Sequence, residues 1–168
     1  MDVREFDFNL PSELIAQEPA DERGRARLLF LQRHGGALAQ TTVSALPDFL
    51  RPGYLLVVNN TRVFPARLIG RRLPTGGVVE CMLIHRLARH EGSRSERWEA
   101  LMHPGQRLAP GTEVLFEGGR TIQGKVLERR FHGRRVIELW TDDGSALDEA
   151  VDAIGHVPLP PYIKRSDR

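Results

Sequence analysis

Polar side chains that could bind a small ligand follow an apolar run in the first half of the chain. The run at 55–58 reads LLVV and predicts a buried strand. Four polar residues come directly after it: Asn59, Asn60, Thr61 and Arg62. Ligands of open α/β sheets bind outside the carboxyl ends of strands, where Arg62 and Arg67 could hold a phosphate or carboxylate. The pattern alone favours a simpler alternative, an Asx-type turn between two domains with both arginines paired to acids.

A second cluster combines an imidazole, a phenol and three prolines. His156 and Tyr162 flank Pro158, Pro160 and Pro161 in the sequence IGHVPLPPYIKR. Proline fixes its own φ and restricts the residue before it, so the segment is expected to be extended and stiff. It could form a wall that presents His156 and Tyr162 to a ligand. On pattern alone, a rigid connector between domains is the favoured alternative.

Basic residues are concentrated in the middle of the chain. Residues 59–140 contain 15 Arg and Lys against 8 Asp and Glu, whereas both flanking segments are mildly acidic. Four arginines surround the predicted turn at His132 and Gly133: Arg129, Arg130, Arg134 and Arg135. Because guanidinium groups bind phosphate in a bidentate manner, this distribution indicates a polyanionic partner. The alternative is a solvated surface, since charged hairpins also protect sheet edges.

Several familiar chemistries lack their motifs in this sequence. There is no G-x-G-x-x-G, P-loop, H-E-x-x-H, C-x-x-C or G-x-S-x-G motif, and the six histidines are scattered, so no metal site is predicted. Cys81 lies between apolar residues and is expected to be a small core residue. The acidic N-terminus has no apolar h-region, and no run reaches the roughly 18 apolar residues of a membrane span. A cytoplasmic protein without a membrane partner is therefore expected.

The elements that position these clusters change from mixed to all-β along the chain. The pattern predicts a short helix at 10–19, a hairpin at 27–43 and a second short helix at 44–50. Six strand-like runs follow, most of them separated by turn residues: 62–72, 78–87, 97–103, 113–117, 120–131 and 134–141. Short strands at this spacing favour a closed antiparallel barrel.

A helix after the strands completes the predicted organisation. Leu147, Val151 and Ile154 recur at helical spacing, and Ser145 with Asp148 resembles a capping box. Because a helix returns so soon, we expect the barrel to be inserted into an α/β domain. The predicted division is 1–61 for the first part of the α/β domain, 62–144 for the barrel and 145–168 for the return to the α/β domain.

Five motifs spread over the chain occur together in one known family. They are FDFNLPSELIAQEP (6–19), RGRARLL (23–29), PGYLLVVNNTRVFPARLIGRR (52–72), PGQRLAPGT (104–112) and IGHVPLPPYIKR (154–165). Through them the sequence resembles the S-adenosylmethionine:tRNA ribosyltransferase-isomerases of queuosine biosynthesis. The resemblance implies a fold that combines α/β and all-β parts, an α/β layer domain with an inserted six-stranded antiparallel β-barrel.

The resemblance also implies a reaction and its partners. Such enzymes transfer and isomerise the ribosyl moiety of S-adenosylmethionine onto 7-aminomethyl-7-deazaguanine at the wobble position of tRNA, which gives epoxyqueuosine. S-adenosylmethionine is consumed as a substrate, so no cofactor or metal is implied. The macromolecular partner is the anticodon loop of tRNA, and the full-length proteins are expected to be monomers.

Expected roles for the polar residues follow from the same resemblance. Nine are expected to contact substrate: Arg23, Arg27, Asn59, Asn60, Thr61, Arg62, Arg67, His156 and Tyr162. Arginines would bind anionic groups, the amides and the hydroxyl would form hydrogen bonds, and Tyr162 would stack on a base. Four are expected to bind tRNA: Arg129, Arg130, Arg134 and Arg135. For Arg23 and Arg27, salt bridges to Glu18, Asp21 or Glu22 are an equal alternative. No residue is assigned as the general base.

One departure from the family pattern is large. Family members continue past the proline-rich segment into a second half with further motifs, and this sequence lacks those motifs. We therefore expect an incomplete α/β layer domain, with one sheet face uncovered, beside a complete barrel. We also expect the 168-residue chain to be inactive alone. The alternative function is that of a non-catalytic tRNA-binding module or one half of a split enzyme.

Overall fold

A computed structural model describes residues 2–89 and 94–166, with the backbone alone at 88 and 89. The chain divides into two compact units. The N-terminal unit contains the chain up to Thr61 together with Pro160–Ser166, and the barrel unit contains Arg62–Leu159. The return to the first domain was predicted at residue 145. The structure instead groups residues 145–159 with the barrel, because the helix in this segment packs on it.

The N-terminal unit contains a two-stranded sheet and short 3-10 helices. Its antiparallel strands are β1, Arg27–Leu31, and β2, Leu38–Thr42. Its 3-10 helices are Val3–Phe6, Ser12–Leu14, Arg23–Arg25 and Val43–Phe49. The helices predicted at 10–19 and 44–50 are therefore 3-10 turns. Short helices are marginal unless they bury a face, and neither of these contains a buried residue.

The apolar run at 55–58 does not form the predicted buried strand in this structure. The segment is irregular, and Leu55 is 88% exposed. A strand needs a neighbour for its backbone N–H and C=O groups, and no described segment pairs with this run. The α/β layer is likewise not seen in the described residues and stays a prediction.

Six antiparallel strands of the barrel unit close into a barrel, which confirms the predicted barrel. The strands are β3, Arg67–Arg72; β4, Val78–Arg89; β5, Ser95–His103; β6, Glu113–Glu117; β7, Thr121–Arg129; and β8, Arg134–Thr141. Their order around the barrel is β3-β4-β5-β8-β7-β6, and β3 pairs with β6 to close it. A short 3-10 helix, Gly105–Arg107, connects β5 to β6.

Apolar side chains fill the barrel, and one glycine permits its closure. Leu68, Phe116 and Ile137 have no exposed surface. Cys81 is buried as predicted, and burial raises the pKa of its thiol to about 12. A Cβ atom at Gly70 would lie 2.2 Å from the Leu115 carbonyl oxygen. Because no side chain fits there, β3 and β6 can approach closely only with glycine at this position.

An α-helix, α1, Leu147–Ile154, covers part of the barrel. Leu147, Ala150 and Val151 are buried in the core that the strands form. The predicted capping box is absent, because Ala146 is the N-cap residue and provides no side-chain hydrogen bond. Ser145 lies one position earlier, where its backbone N–H donates to the Asp143 carboxylate at 2.9 Å. No helix in the described residues is long and apolar enough to cross a membrane.

Candidate functional site

The polar residues at 59–61 form a local turn. The backbone N–H of Thr61 donates to Oδ1 of Asn59 at 2.8 Å, which is an Asx turn. Asn59, Asn60 and Thr61 are all exposed. The hydrogen bond agrees with the simpler interpretation of this motif, a turn that redirects the chain. The Asn60 amide and the Thr61 hydroxyl remain exposed to solvent.

The barrel unit contains a cavity of about 230 Å³ beside α1. It is lined by Arg62, Phe64, Leu83, Trp98, Asp148, Val151 and Asp152, and we call it the aromatic cavity. Leu83, Trp98 and Val151 are buried and form an apolar wall. The guanidinium and the two carboxylates belong to exposed residues. Arg62 is thus a predicted substrate residue that lines a cavity.

A hydrogen-bonded network fixes the tryptophan of the aromatic cavity. Nε1 of Trp98 donates to the Glu96 carboxylate at 3.1 Å. Arg86 lies over the Trp98 ring, 5.0 Å from its centroid, and pairs with Glu96 at 2.9 Å. Arg86 also pairs with Asp148 at 2.5 Å. The network therefore ties α1 to β4 and β5 and holds the ring in one orientation.

The aromatic cavity offers two charges of opposite sign beside apolar walls. Phe64 and Trp98 lie with their ring centroids 6.1 Å apart. Neither Arg62 nor Asp152 forms an ion pair with any residue in the part of the chain that the structure describes. A cation close to carboxylates and aromatic rings is stabilised electrostatically, and a guanidinium binds carboxylate or phosphate. The arrangement suits a small organic ligand that has a positive and a negative group.

Arg67 and His156 lie together at the start of β3. Their backbones form an antiparallel bridge, with N···O distances of 3.0 and 2.8 Å. A Cβ atom at Gly155 would lie 2.1 Å from the Pro65 carbonyl oxygen, so the two segments touch closely. The Arg67 guanidinium donates two hydrogen bonds to Glu80, at 2.7 and 3.1 Å. This contact agrees with the alternative in which Arg67 pairs with an acid.

The remaining predicted substrate residues lie in the N-terminal unit. Tyr162 is 55% exposed, and Arg23 and Arg27 are exposed as well. Neither arginine forms an ion pair with another residue of 2–89 or 94–166. Glu18, one of their alternative partners, pairs instead with Arg165 at 3.4 Å. No hydrogen bond between described atoms links the three predicted residues to one another.

One arginine of the predicted tRNA-binding set is structural. Arg135 is 1% exposed, and its guanidinium donates to the carbonyl oxygens of Gly105, Leu108 and Arg134 at 2.5 to 3.1 Å. Burial, together with the charge of Arg129, lowers the pKa of Arg135. Because its donors already satisfy carbonyls at this end of the barrel, Arg135 is not available to a phosphate. The prediction for this residue is corrected accordingly.

The other three arginines surround the tip of the β7–β8 hairpin. Arg130 and Arg134 pair with the buried carboxylate of Glu99 at 3.7 and 3.4 Å. A hydrogen bond to Glu128 raises the pKa of Arg130. Arg129 is exposed. Residues 128–135, which we call the basic hairpin, therefore retain a positive surface after internal pairing.

Of the residues that line the aromatic cavity, only Arg62 was predicted from the sequence as a site residue. Phe64, Trp98, Asp148 and Asp152 come from three distant segments, and only barrel closure brings them together. The two carboxylates did leave a signal. They are four residues apart in α1, offset by one position from buried Leu147, so both lie beside its apolar face. Among the described residues, no group of three His, Cys, Asp or Glu side chains could hold a metal ion.

Comparisons with known proteins all point to one family. The family model for queuosine biosynthesis protein matches residues 3–168. The S-adenosylmethionine:tRNA ribosyltransferase-isomerase of Symbiobacterium thermophilum is 40% identical over 163 residues, which cover 97% of this chain and 45% of that protein. The Clostridioides difficile protein of the same name gives the same identity and coverage. The chain thus spans about half the length of the curated relatives it matches.

A solved structure was also found to be similar. The crystal structure of an S-adenosylmethionine tRNA ribosyltransferase from Thermotoga maritima is 34% identical in sequence. The match covers 90% of this chain and 48% of that one, with a TM-score of 0.41.

Proposed function

This chain belongs to the queuosine biosynthesis protein family, and from that premise we propose that it supplies the first half of an S-adenosylmethionine:tRNA ribosyltransferase-isomerase. The relatives that are 39 to 40% identical have this name. Because the chain spans about half of their length, the activity is proposed for the protein completed by the remaining half. The proposed reaction transfers and isomerises the ribosyl group of S-adenosylmethionine onto 7-aminomethyl-7-deazaguanine at the wobble position of tRNA, with loss of adenine and methionine.

The observation that supports this proposal most is the aromatic cavity. S-adenosylmethionine has a cationic sulfonium and an anionic carboxylate on one small molecule. We propose that Arg62 binds the carboxylate and that Asp152 lies near the sulfonium. Asp148 is less suited to that role because it already pairs with Arg86. Aromatic walls also favour a cation or a flat heterocycle, so they fit either end of this substrate.

The finer features of the enzyme are part of the same proposal. Asn59, Asn60 and Thr61 are proposed to form hydrogen bonds to substrate, and Arg23, Arg27 and Tyr162 are proposed as further substrate contacts. Arg67 and His156 would support the substrate site through their backbone bridge. We propose the anticodon loop as the bound part of tRNA, a monomeric and cytoplasmic enzyme, and no retained cofactor.

We further propose that the α/β layer forms when the second half of the family sequence is present. Apolar side chains of the N-terminal unit are exposed, including Phe8 at 74% and Val57 at 83%. Leaving large apolar groups in water costs roughly 1.5 to 3 kcal/mol each relative to burying them. The relatives contain about as much sequence again beyond the matched part. That sequence would cover the exposed apolar side chains of the N-terminal unit and pair with the run at 55–58.

The exposed apolar side chains of the N-terminal unit also support a second function for the chain as it stands. In this function the chain is a tRNA-binding half that needs a catalytic partner. An enzyme assay separates the two functions. A chimera in which this chain replaces the matching 45% of the Symbiobacterium thermophilum relative is expected to release adenine from S-adenosylmethionine with precursor-modified tRNA. The 168-residue chain alone is expected to release none. A chimera that folds and binds both substrates but releases no adenine would contradict the proposed function.

A further inference from the structure

The tip of the basic hairpin exposes an aromatic ring. Phe131 is 87% exposed, more than any other aromatic side chain that is described in the barrel unit. It lies between Arg130 and His132, with Arg129 and Arg134 on either side in sequence. An exposed phenylalanine at the end of a hairpin adds nothing to the core, so its position calls for another explanation.

The backbone presents this ring rigidly. The N–H of Arg134 donates to the Phe131 carbonyl at 3.2 Å, and His132 and Gly133 both have positive φ, 56° and 79°. These are the features of a type I′ turn, which matches the twist of the two strands it joins. The Gly133 carbonyl also accepts from the N–H of Met102 on β5 at 3.2 Å. The tip is therefore held on two sides.

Charge around the ring is positive on balance. The basic hairpin contains four arginines and one glutamate, and buried Arg135 faces inward. The neighbouring acids are Glu128, which pairs with Arg130, and Glu99, which pairs with Arg130 and Arg134. These three ion pairs involve two carboxylates, so the guanidinium groups of Arg129, Arg130 and Arg134 outnumber the carboxylates around the ring. A depression of about 530 Å³ runs along the same residues and includes Gln106.

We infer that the tip of the basic hairpin binds single-stranded RNA, with Phe131 stacked on an unpaired base and Arg129 beside the adjoining phosphates. Nucleic-acid proteins that bind single strands combine an aromatic platform with a positive groove. Bases in a duplex are already stacked on each other and cannot receive the ring, so the site is selective for unpaired nucleotides. The inference rests on the proposed function in that tRNA is its expected source of RNA. It adds a residue and a mode of contact that the arginine cluster alone does not imply.

A binding experiment with the full 168-residue chain tests the inference. The probes are an unstructured pyrimidine-rich RNA carrying one 2-aminopurine and an RNA duplex of equal length. Stacking of a base on an aromatic ring is worth enough that Phe131→Ala should weaken single-strand binding about 5- to 100-fold. Phe131→Trp should retain binding and quench the 2-aminopurine. Duplex binding should change less than about twofold in both variants.

A matched truncation controls for the loss of exposed aromatic surface. Phe8→Ala removes a ring that is 74% exposed in acidic surroundings, and it should leave RNA affinity unchanged. Unchanged single-strand affinity in Phe131→Ala would overturn the inference, and so would an absence of RNA binding by the wild-type chain. Equal losses for single strand and duplex would contradict stacking as well. The enzymatic proposal is judged separately, by adenine release from the chimera.

Discussion

The barrel unit and the N-terminal unit both contain many apolar residues but bury them very differently. In the barrel unit Leu68, Phe116 and Ile137 are completely buried, whereas no residue between 2 and 61 is buried. A closed barrel pairs each strand with two neighbours and leaves no open edge. The β1–β2 hairpin has only two strands, which are marginally stable without a further layer. Closure, rather than apolar content, therefore explains why the barrel unit has a buried core and the N-terminal unit has none.

The largest effect that we expect from this difference is on stability. Phe116→Ala should lower the free energy of unfolding by about 3 to 5 kcal/mol, because it leaves a cavity in a closed core. Phe8→Ala removes the same ring from an exposed position and should change it by less than about 0.5 kcal/mol. Urea unfolding followed by far-UV circular dichroism measures both. Similar losses in the two variants would mean that the N-terminal unit has a core of its own.

A second comparison concerns two arginines of the barrel unit. In the chimera, Arg62→Ala should reduce kcat/KM for adenine release about 30- to several-thousand-fold, the cost of removing the charged partner of a bound anion. Arg71→Ala is the control, since Arg71 is exposed and pairs with Glu117 on the barrel surface at 2.8 Å. Its kcat/KM should stay within about threefold of the unmodified chimera. Comparable values for Arg62→Ala would reduce residues 59–62 to a connecting turn.

Thiol reactivity distinguishes the two units directly. Cys81 is the only cysteine and is buried in the barrel. Its reaction with a disulfide reagent should be at least about 100-fold slower than that of a cysteine introduced by Val57→Cys, because only opening of the barrel exposes it. Equal rates for the two thiols would show that the barrel opens freely.

The same thiol makes stability depend on pH in the alkaline range. Its pKa is raised from 9.0 to about 12 by burial, so the folded state holds its proton more tightly than the unfolded chain does. The stabilisation is complete below pH 9 and should be lost as the pH rises from there towards 12. Cys81→Ser at matched pH values separates this contribution from that of other groups. A pH dependence that is the same in both proteins would contradict a buried thiol.

The barrel was predictable from the sequence because its information is local. Glycine-containing turns such as the one at Gly133 separate runs of strand length, and each run carries its own turn chemistry. The amphipathic helix was predictable for the same reason, since Leu147 and Val151 recur at helical spacing. Its cap was not, because Ser145 is suited to two neighbouring positions and the loop uses it at the earlier one.

That residues 55–58 form no strand in this structure could not be predicted from an apolar run alone. Such a run shows that a segment gains from burial, but not whether a neighbouring strand is available to it. The prediction that Arg135 binds tRNA failed for a related reason. An arginine in a hairpin is normally exposed, and only the fold places carbonyl groups around this one. The aromatic cavity depends on contacts between residues as distant as Phe64 and Asp152. No spacing within one segment indicates these contacts.

Amide hydrogen exchange on the 168-residue chain and on the chimera tests the central proposal, that the other half of the family sequence covers the N-terminal unit whereas the barrel needs no such cover. Barrel amides in β5, β7 and β8 should be protected to a similar degree in both proteins. Amides at 55–58 should exchange at nearly the rate of an unstructured peptide in the chain and become protected in the chimera. Protection of 55–58 in the chain alone, or its absence in the chimera, would contradict the account.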